Sequence, residues 1–251
     1  MNPMKTLVTF VHFKRKDEIF EKNLEFFYKI GYFTSKFVDF NIIINGIHGG
    51  DFINESQNLK IIRRKNVGHD FGAYKASIDS MSQDYDRFIF INDTCTGPFI
   101  PLYIPSNVKW VDLFLSNIDD EVKMVGPTWW NTTSRHSPHI QSWCFGIDKI
   151  ALDLLLKENG FNSVGKSKSQ LIAQHEVGNC VKLRKHGFKI KPFQISSLTD
   201  RQNADINWPN QYFGTSVNPF EIMFMKTSRF KNNKVVQNYM SWLMNSKRAK
   251  L

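Results

Sequence analysis

The segment Arg87-Phe88-Ile89-Phe90-Ile91-Asn92 restricts the fold more than any other stretch of the chain. A strand with apolar side chains on both faces has no side to show to water, so something must cover each of them. Strands of this kind occupy the centre of mostly parallel sheets, whose crossover connections lay helices over both faces. The neighbouring sequence has the matching alternation. Thr6 to Phe13 is an apolar, β-branched run, and Asp17 to Ile30 carries Ile19, Phe20, Leu24, Phe27 and Ile30 at near-helical spacing. Phe37 to Asn45 closes at the turn dipeptide Asn45-Gly46, Leu59 to Arg64 is a further short strand, and Gly72 opens a helix to about Met81. The first hundred residues therefore read β-α-β-β-α-β.

Beyond residue 100 the pattern is more mixed. A short helix is expected over Val108 to Leu115, strands over Val122 to Thr128 and His139 to Ile147, and helices over Lys149 to Lys157 and Gln170 to Lys185, the last stopped by Gly187. A strand at Lys189 to Ile195 and helices at Phe220 to Met225 and Val235 to Met244 complete the reading. No Pro/Gly/Ser-rich linker divides the 251 residues, a length that one core can serve. The expectation is a single α/β domain with a Rossmann-like, mixed but mostly parallel sheet flanked by helices. About 1–100 would form a nucleotide-binding half, about 101–230 an acceptor-binding half, and 231–251 a C-terminal helix with a basic tail.

Composition excludes several classes. With 41% hydrophobic and 14% aromatic residues the chain is not intrinsically disordered. No apolar stretch approaches the ~20 residues that span a bilayer, and the first residues lack the apolar segment of a signal peptide, so a soluble, cytoplasmic protein is expected. Cys95, Cys144 and Cys180 are far apart and form no Cys-x-x-Cys pair, which fits a reducing compartment rather than a disulfide framework. The net charge of +10 should attract anions: nucleotides, nucleic acid, acidic lipids or charged glycans. It does not choose among them, and no nucleic-acid motif is present. The clusters Lys14-Arg15-Lys16, Arg63-Arg64-Lys65 and Lys247-Arg248-Ala249-Lys250 read first as solvated faces and a frayed end.

Ligands of open α/β sheets sit beyond the carboxyl ends of the strands, so chemistry is sought just after each apolar run. Asn66-Val67-Gly68-His69-Asp70-Phe71-Gly72 sets two glycines and a carboxylate between a strand and a helix. Gly68 and Gly72 would let backbone approach a ligand and Asp70 would accept hydrogen bonds from sugar or ribose hydroxyls; the alternative is a tight turn with Asp70 as helix N-cap. Asn92-Asp93-Thr94 follows the central strand, where Asp93 is placed to hold a divalent cation with substrate phosphates, or simply forms an Asx turn into Gly97-Pro98. Glu176, in His175-Glu176-Val177-Gly178, is either a general base for an acceptor hydroxyl or a solvated helix residue. Trp129, Trp130 and Trp143 would stack on a sugar ring or fill the core, and Asn131 to Arg135 reads as a polar loop over the site.

Taken together, Arg64 to Lys75, Ile91-Asn92-Asp93-Thr94-Cys95-Thr96-Gly97-Pro98-Phe99 and His139-Ile140-Gln141-Ser142-Trp143 resemble, in order and spacing, the rhamnan-synthesis protein F family and related viral sequences. The resemblance covers about residues 5 to 195, and more weakly Asn218-Pro219-Phe220-Glu221 onward. It implies a GT-A-like glycosyltransferase that moves a hexose, with rhamnose suggested only by the family's name, from a nucleoside-diphosphate sugar to a glycan or glycoconjugate. By that resemblance, Thr9 to His12 and Asn45-Gly46 flank the nucleotide, and Asn66, Asp70, Asn92 and Thr94 bind the donor. Asp93 holds Mn2+ or Mg2+, Glu176 is the base, and His139 and Gln141 lie near donor or acceptor. If the source is viral, the location is host cytoplasm. The sequence offers one carboxylate, Asp93, where many relatives of the wider fold offer two. Either Asp93 shares the ion with another group, or metal binding is weak, or positive side chains do the neutralising. A non-catalytic nucleotide- or glycan-binding module on the same fold is the rival reading.

Overall fold

The computed structural model describes residues 4–130, 136–194, 216–230 and 234–246; the expected polar loop over 131–135 and the basic tail lie outside them. Its main sheet has seven strands. The N-terminal half supplies β1 (Thr6–His12), α1 (Ile19–Phe26) running on into a π-helical turn at Phe27–Gly31, β2 (Val38–Asn45), β3 (Leu59–Arg64), α2 (His69–Asp79) and β4 (Arg87–Asn92). The expected β-α-β-β-α-β order is therefore present. β5 (Cys95–Thr96), α3 (Trp110–Leu115), β6 (Val122–Gly126), β7 (Trp129–Trp130), β8 (His139–Ile140) and β9 (Cys144–Asp148) follow, then α4 (Lys149–Lys157). A helical run made of α5 (Lys168–Leu171), a π-helical segment Ile172–Val177 and α6 (Gly178–Lys185) leads to β10 (Lys189–Pro192). The described C-terminal elements are α7 (Pro219–Ile222), β11 (Met225–Lys226), α8 (Thr227–Phe230) and α9 (Lys234–Asn245).

The strand order is β10-β6-β9-β4-β1-β2-β3. β1 pairs in parallel with both β2 and β4, and β2 with β3, while β9 runs antiparallel between β4 and β6. The expected mixed, mostly parallel sheet is observed. Alternation along each strand feeds two cores. Val8 and Phe10 of β1 with Ile89 and Ile91 of β4 pack toward α1, whereas Leu7, Val11, Phe88 and Phe90 pack toward α2. Under α2 the pattern turns polar. Ser77 Oγ lies 2.7 Å from Thr9 Oγ1 and accepts from Asn41 Nδ2 at 2.9 Å, so these buried groups satisfy one another.

Several boundaries differ from the sequence reading. The strand expected over His139 to Ile147 is two strands, because Gln141-Ser142-Trp143 turns out of β8, which pairs with β7, before β9 joins the main sheet. α2 begins at His69 rather than Gly72. Gly68 (φ 74) and His69 (φ 52) are left-handed, and the Gly72 N–H already donates to the Gly68 carbonyl at 2.9 Å. Asp70 is thus inside the first turn and is not the N-cap. The expected helix over Phe220 to Met225 stops at Ile222, and Met225 and Lys226 instead pair antiparallel with Thr96 and Cys95.

Candidate active site

The chain leaves β1 toward β2 on one side and β4 lies on the other, so the carboxyl ends of β1 and β4 form the switch point at which such sheets bind ligands. A cleft of about 440 Å³ opens there. Asp70 and Phe71 of α2, with Asn92 and Thr94 from the end of β4, form one side; Ser142, Trp143, Leu171, Ile172 and Glu176 form another. Arg15, His69, Lys168 and Lys226 also line it. A second hollow of about 300 Å³, lined by Asp39, Asn41, Asn58 and Tyr85 among others, contains none of these strand-end residues.

The Asp70 and Asn92 side chains are joined. Asn92 Nδ2 donates to Asp70 Oδ2 at 2.7 Å, and Asn92 Oδ1 accepts from the Thr94 N–H (3.0 Å) and hydroxyl (2.5 Å). Burial, then the nearby Asp93 charge, push the Asp70 carboxyl up to about 6. Glu176 is set the other way. Ser142 donates to its Oε2 from both the backbone N–H (2.8 Å) and the hydroxyl (2.5 Å), and His139 Nε2 lies 3.6 Å from Oε1, too long for a full hydrogen bond. Burial alone would raise this carboxyl; His139 and Ser142 outweigh it and hold Glu176 below the usual glutamate range. Glu176 sits in the π-helical segment, whose wider turn shifts which side chains face the cleft. A capping box at Ser167 and Gln170 fixes the start of this helical run.

Asp93 is held differently. Its side chain is almost fully buried and turns back beneath the cleft: Oδ2 accepts from the Phe13 N–H at 2.8 Å and Oδ1 from Arg15 Nη1 at 2.8 Å. His12 Nδ1 lies 2.9 Å from Oδ2, an ion-pair distance without the alignment of a hydrogen bond, and His12 Nε2 reaches Glu21 Oε2 at 3.1 Å. Glu21 in turn accepts from the Gly50 N–H at 2.8 Å. The Asp93 carbonyl accepts from Asn23 Nδ2, which also donates to Thr227 Oγ1. This carboxylate therefore already faces a cation on one oxygen and an N–H and a histidine on the other. Among the described residues no group of three or more His, Cys, Asp or Glu side chains is arranged to hold a metal ion. The donor set does not fit the divalent ion expected at Asp93.

Other expected residues lie away from the cleft. His12 is fully buried and does not line the cleft. Gln141 is buried, accepting from Thr128 Oγ1 (2.9 Å) and Trp143 Nε1 (3.3 Å), and His139 stands behind Glu176 with its Nδ1 2.8 Å from the Ser137 carbonyl oxygen. Asn66 is exposed, Trp129 and Trp130 belong to the β7–β8 pair, and of the three expected tryptophans only Trp143 lines the cleft. Gly68 and Gly72 act as backbone devices, since a Cβ on Gly72 would strike the Val67 carbonyl. Sequence reasoning missed Arg15, Ser142, Lys168 and Lys226. The three cysteines are buried, and burial pushes their thiols up, that of Cys180 to about 12, so none is set up as a nucleophile.

The sequence model for rhamnan synthesis protein F matches residues 52–247, most of the chain. The chain belongs to the rhamnan synthesis protein F family. That match includes Asp70, Asn92, Asp93, Ser142 and Glu176 but begins after His12 and Arg15. Two curated relatives, both named Virulence protein VirA and both from Vibrio anguillarum (one from strain ATCC 68554 / 775), are 30% identical over 128 residues. The alignment covers 46% of this chain and 36% of each relative, so the chain spans little more than a third of their length. Mannosyltransferase PcManGT from Pyrobaculum calidifontis, solved in complex with GDP-Man and Mn2+, superposes with a TM-score of 0.50 at 10% identity, covering 75% of this chain and 54% of that one. At that identity the likeness establishes a shared fold, the GT-A-like arrangement of nucleotide-sugar glycosyltransferases. No helix among the described residues is long and apolar enough to cross a membrane.

Proposed function

We propose that this chain transfers a glycosyl group from a nucleoside-diphosphate sugar to a hydroxyl of a glycan or glycoconjugate. The observation that carries the reading is convergence: Asp70, Asn92, Thr94, Ser142 and Glu176, spread over more than a hundred positions, line one cleft at the sheet's switch point. Family membership and fold support a transferase. The donor is a hexose or deoxyhexose nucleotide, rhamnose being suggested by the family.

In this reading Asp70 accepts hydrogen bonds from donor hydroxyls while Asn92 fixes its orientation. Trp143 and Phe71 back the cleft wall as nearly buried core side chains. Glu176 stays ionised at neutral pH and is fixed by Ser142, so it is ready to take the acceptor proton. With inversion, the acceptor oxygen bonds to the anomeric carbon as the bond to the diphosphate breaks, and the released proton moves to Glu176. With retention, Glu176 orients the acceptor. PcManGT is solved with Mn2+, whereas the Asp93 oxygens of this chain are already taken by the Phe13 N–H and Arg15.

Glu176→Gln tests the assignment. Transfer or donor hydrolysis should fall by roughly 10² to 10⁴ in kcat, with little change in donor affinity. An unchanged turnover rate removes Glu176 as base. Absence of turnover in the parent chain with a broad panel of nucleotide sugars, despite tight binding, would favour the non-catalytic module.

A further inference from the structure

We infer that the donor's diphosphate is gripped by the cationic side chains of Arg15, Lys168 and Lys226 rather than through a divalent ion at Asp93, and that Asp93 is the positioning residue for Arg15. The inference rests on the glycosyltransferase reading above and specifies how its leaving group is stabilised.

A hard divalent ion needs carboxylate oxygens free to turn toward it. Those of Asp93 are engaged by the Phe13 N–H, His12 and Arg15, in a side chain only 2% exposed. An ion on Oδ1 would have to displace the guanidinium 2.8 Å away. Arg15 is pre-arranged in return. Its guanidinium carbon sits 4.0 Å from the Phe20 ring centroid and 5.6 Å from that of Phe13, with one nitrogen tied to Asp93. Among the described residues no second acceptor takes its remaining N–H groups, and the side chain lines the cleft while 30% exposed. A planar fork so held matches the two oxygens of a phosphate.

Two further cations come from unrelated elements. Lys226 is carried on β11, which β5 fixes by pairing Lys226 with Cys95 just beyond the end of β4. Lys168 is the first residue of α5, is exposed, and also lines the cleft. Two carboxylates share the cleft, Glu176 held by the Ser142 donors and Asp70 by Asn92, with burial opposing the ionisation of Asp70. As the bond from the anomeric carbon to the leaving oxygen breaks, its electron pair stays with the diphosphate. Fixed cations in a partly enclosed site stabilise that charge without an ion.

Calorimetry on the full chain with UDP, GDP and dTDP, each first in EDTA and then in excess MnCl2, tests the inference. At least one nucleotide should bind in EDTA, with affinity little changed by Mn2+. Arg15→Ala, Lys226→Ala and Lys168→Ala should each weaken that binding by roughly tenfold or more. Lys168 is exposed, so its variant carries little folding risk. Asp93→Asn should weaken binding as Arg15→Ala does, and the double variant should lose no more than the worse single one, a coupling that general destabilisation would not produce. Binding that appears only with Mn2+ overturns the inference and leaves the transferase reading standing. Folded variants that bind normally also overturn it. Absence of binding by all three nucleotides in both conditions overturns the inference and the reading together.

Discussion

Asp70 keeps its proton up to about pH 6 because burial and the Asp93 charge both oppose ionisation, while Glu176 is held ionised by its donors. The linkage signs are opposite. A raised carboxyl takes up a proton on folding, so Asp70 favours the folded state at low pH, and stability falls as pH rises from its ordinary 3.8 to about 6. A depressed carboxyl contributes stability above the ordinary glutamate range that is lost as pH falls below it, which is the Glu176 case. Asp70→Asn should therefore raise the thermal midpoint at neutral pH and flatten its decline across that window, measured by calorimetry over a pH series. A variant as pH-sensitive as the parent would show that Asp70 titrates normally. Asp70, Asn92, Thr94 and Glu176 were legible as cleft residues because each follows a strand or sits in a helix with a recognisable pattern. The direction of Asp93 was not. Neighbours at a strand end point opposite ways, and only the turn geometry decides that Asn92 faces the cleft while Asp93 faces His12. Arg15 and Lys226 were hidden for another reason: a cation has the same local sequence whether water or a fold surrounds it.

At the scale of elements, β4 sits near the middle of the sheet, and its Phe90 ring meets Tyr74 of α2 at 5.0 Å, Phe145 of β9 at 5.1 Å and Phe161 at 5.5 Å. Phe90→Ala should cost about 3–5 kcal/mol. Urea unfolding would show the loss as a lower midpoint, and a shift under 1 kcal/mol would mean the site repacks. The strands of the N-terminal half were readable because period-2 apolar runs bounded by turn residues leave little choice. The antiparallel insertion of β9 was not, since a short buried run carries no mark of its direction. Nor were the two-residue strands β5, β7 and β11, which exist through their partners and not through any propensity of their own. The π-helical segment carrying Glu176 likewise has no local signature beyond the helical period.

For the whole molecule, the family match beginning at residue 52 leaves out β1 and β2, yet β1 is the strand flanked by β2 and β4. A chain cut to start at residue 52 would lose β1 and β2, leaving β3 without a partner and one edge of β4 unpaired. It should show no cooperative thermal transition; a sharp one would mean that the C-terminal part is a domain in its own right. Asn23 of α1 donates to Thr227 of α8, a contact that ties the two ends of the described fold together.

Lys226 enters the cleft only because β11 folds back onto β5, about 130 positions earlier in the chain. On a ribosome, the polypeptide would have built its sheet and most of the pocket wall before Lys226 emerged from the exit tunnel. On the diphosphate grip proposed above, donor capture would wait for β11, so nascent chains stalled before Lys226 would be folded in outline yet blind to the nucleotide sugar.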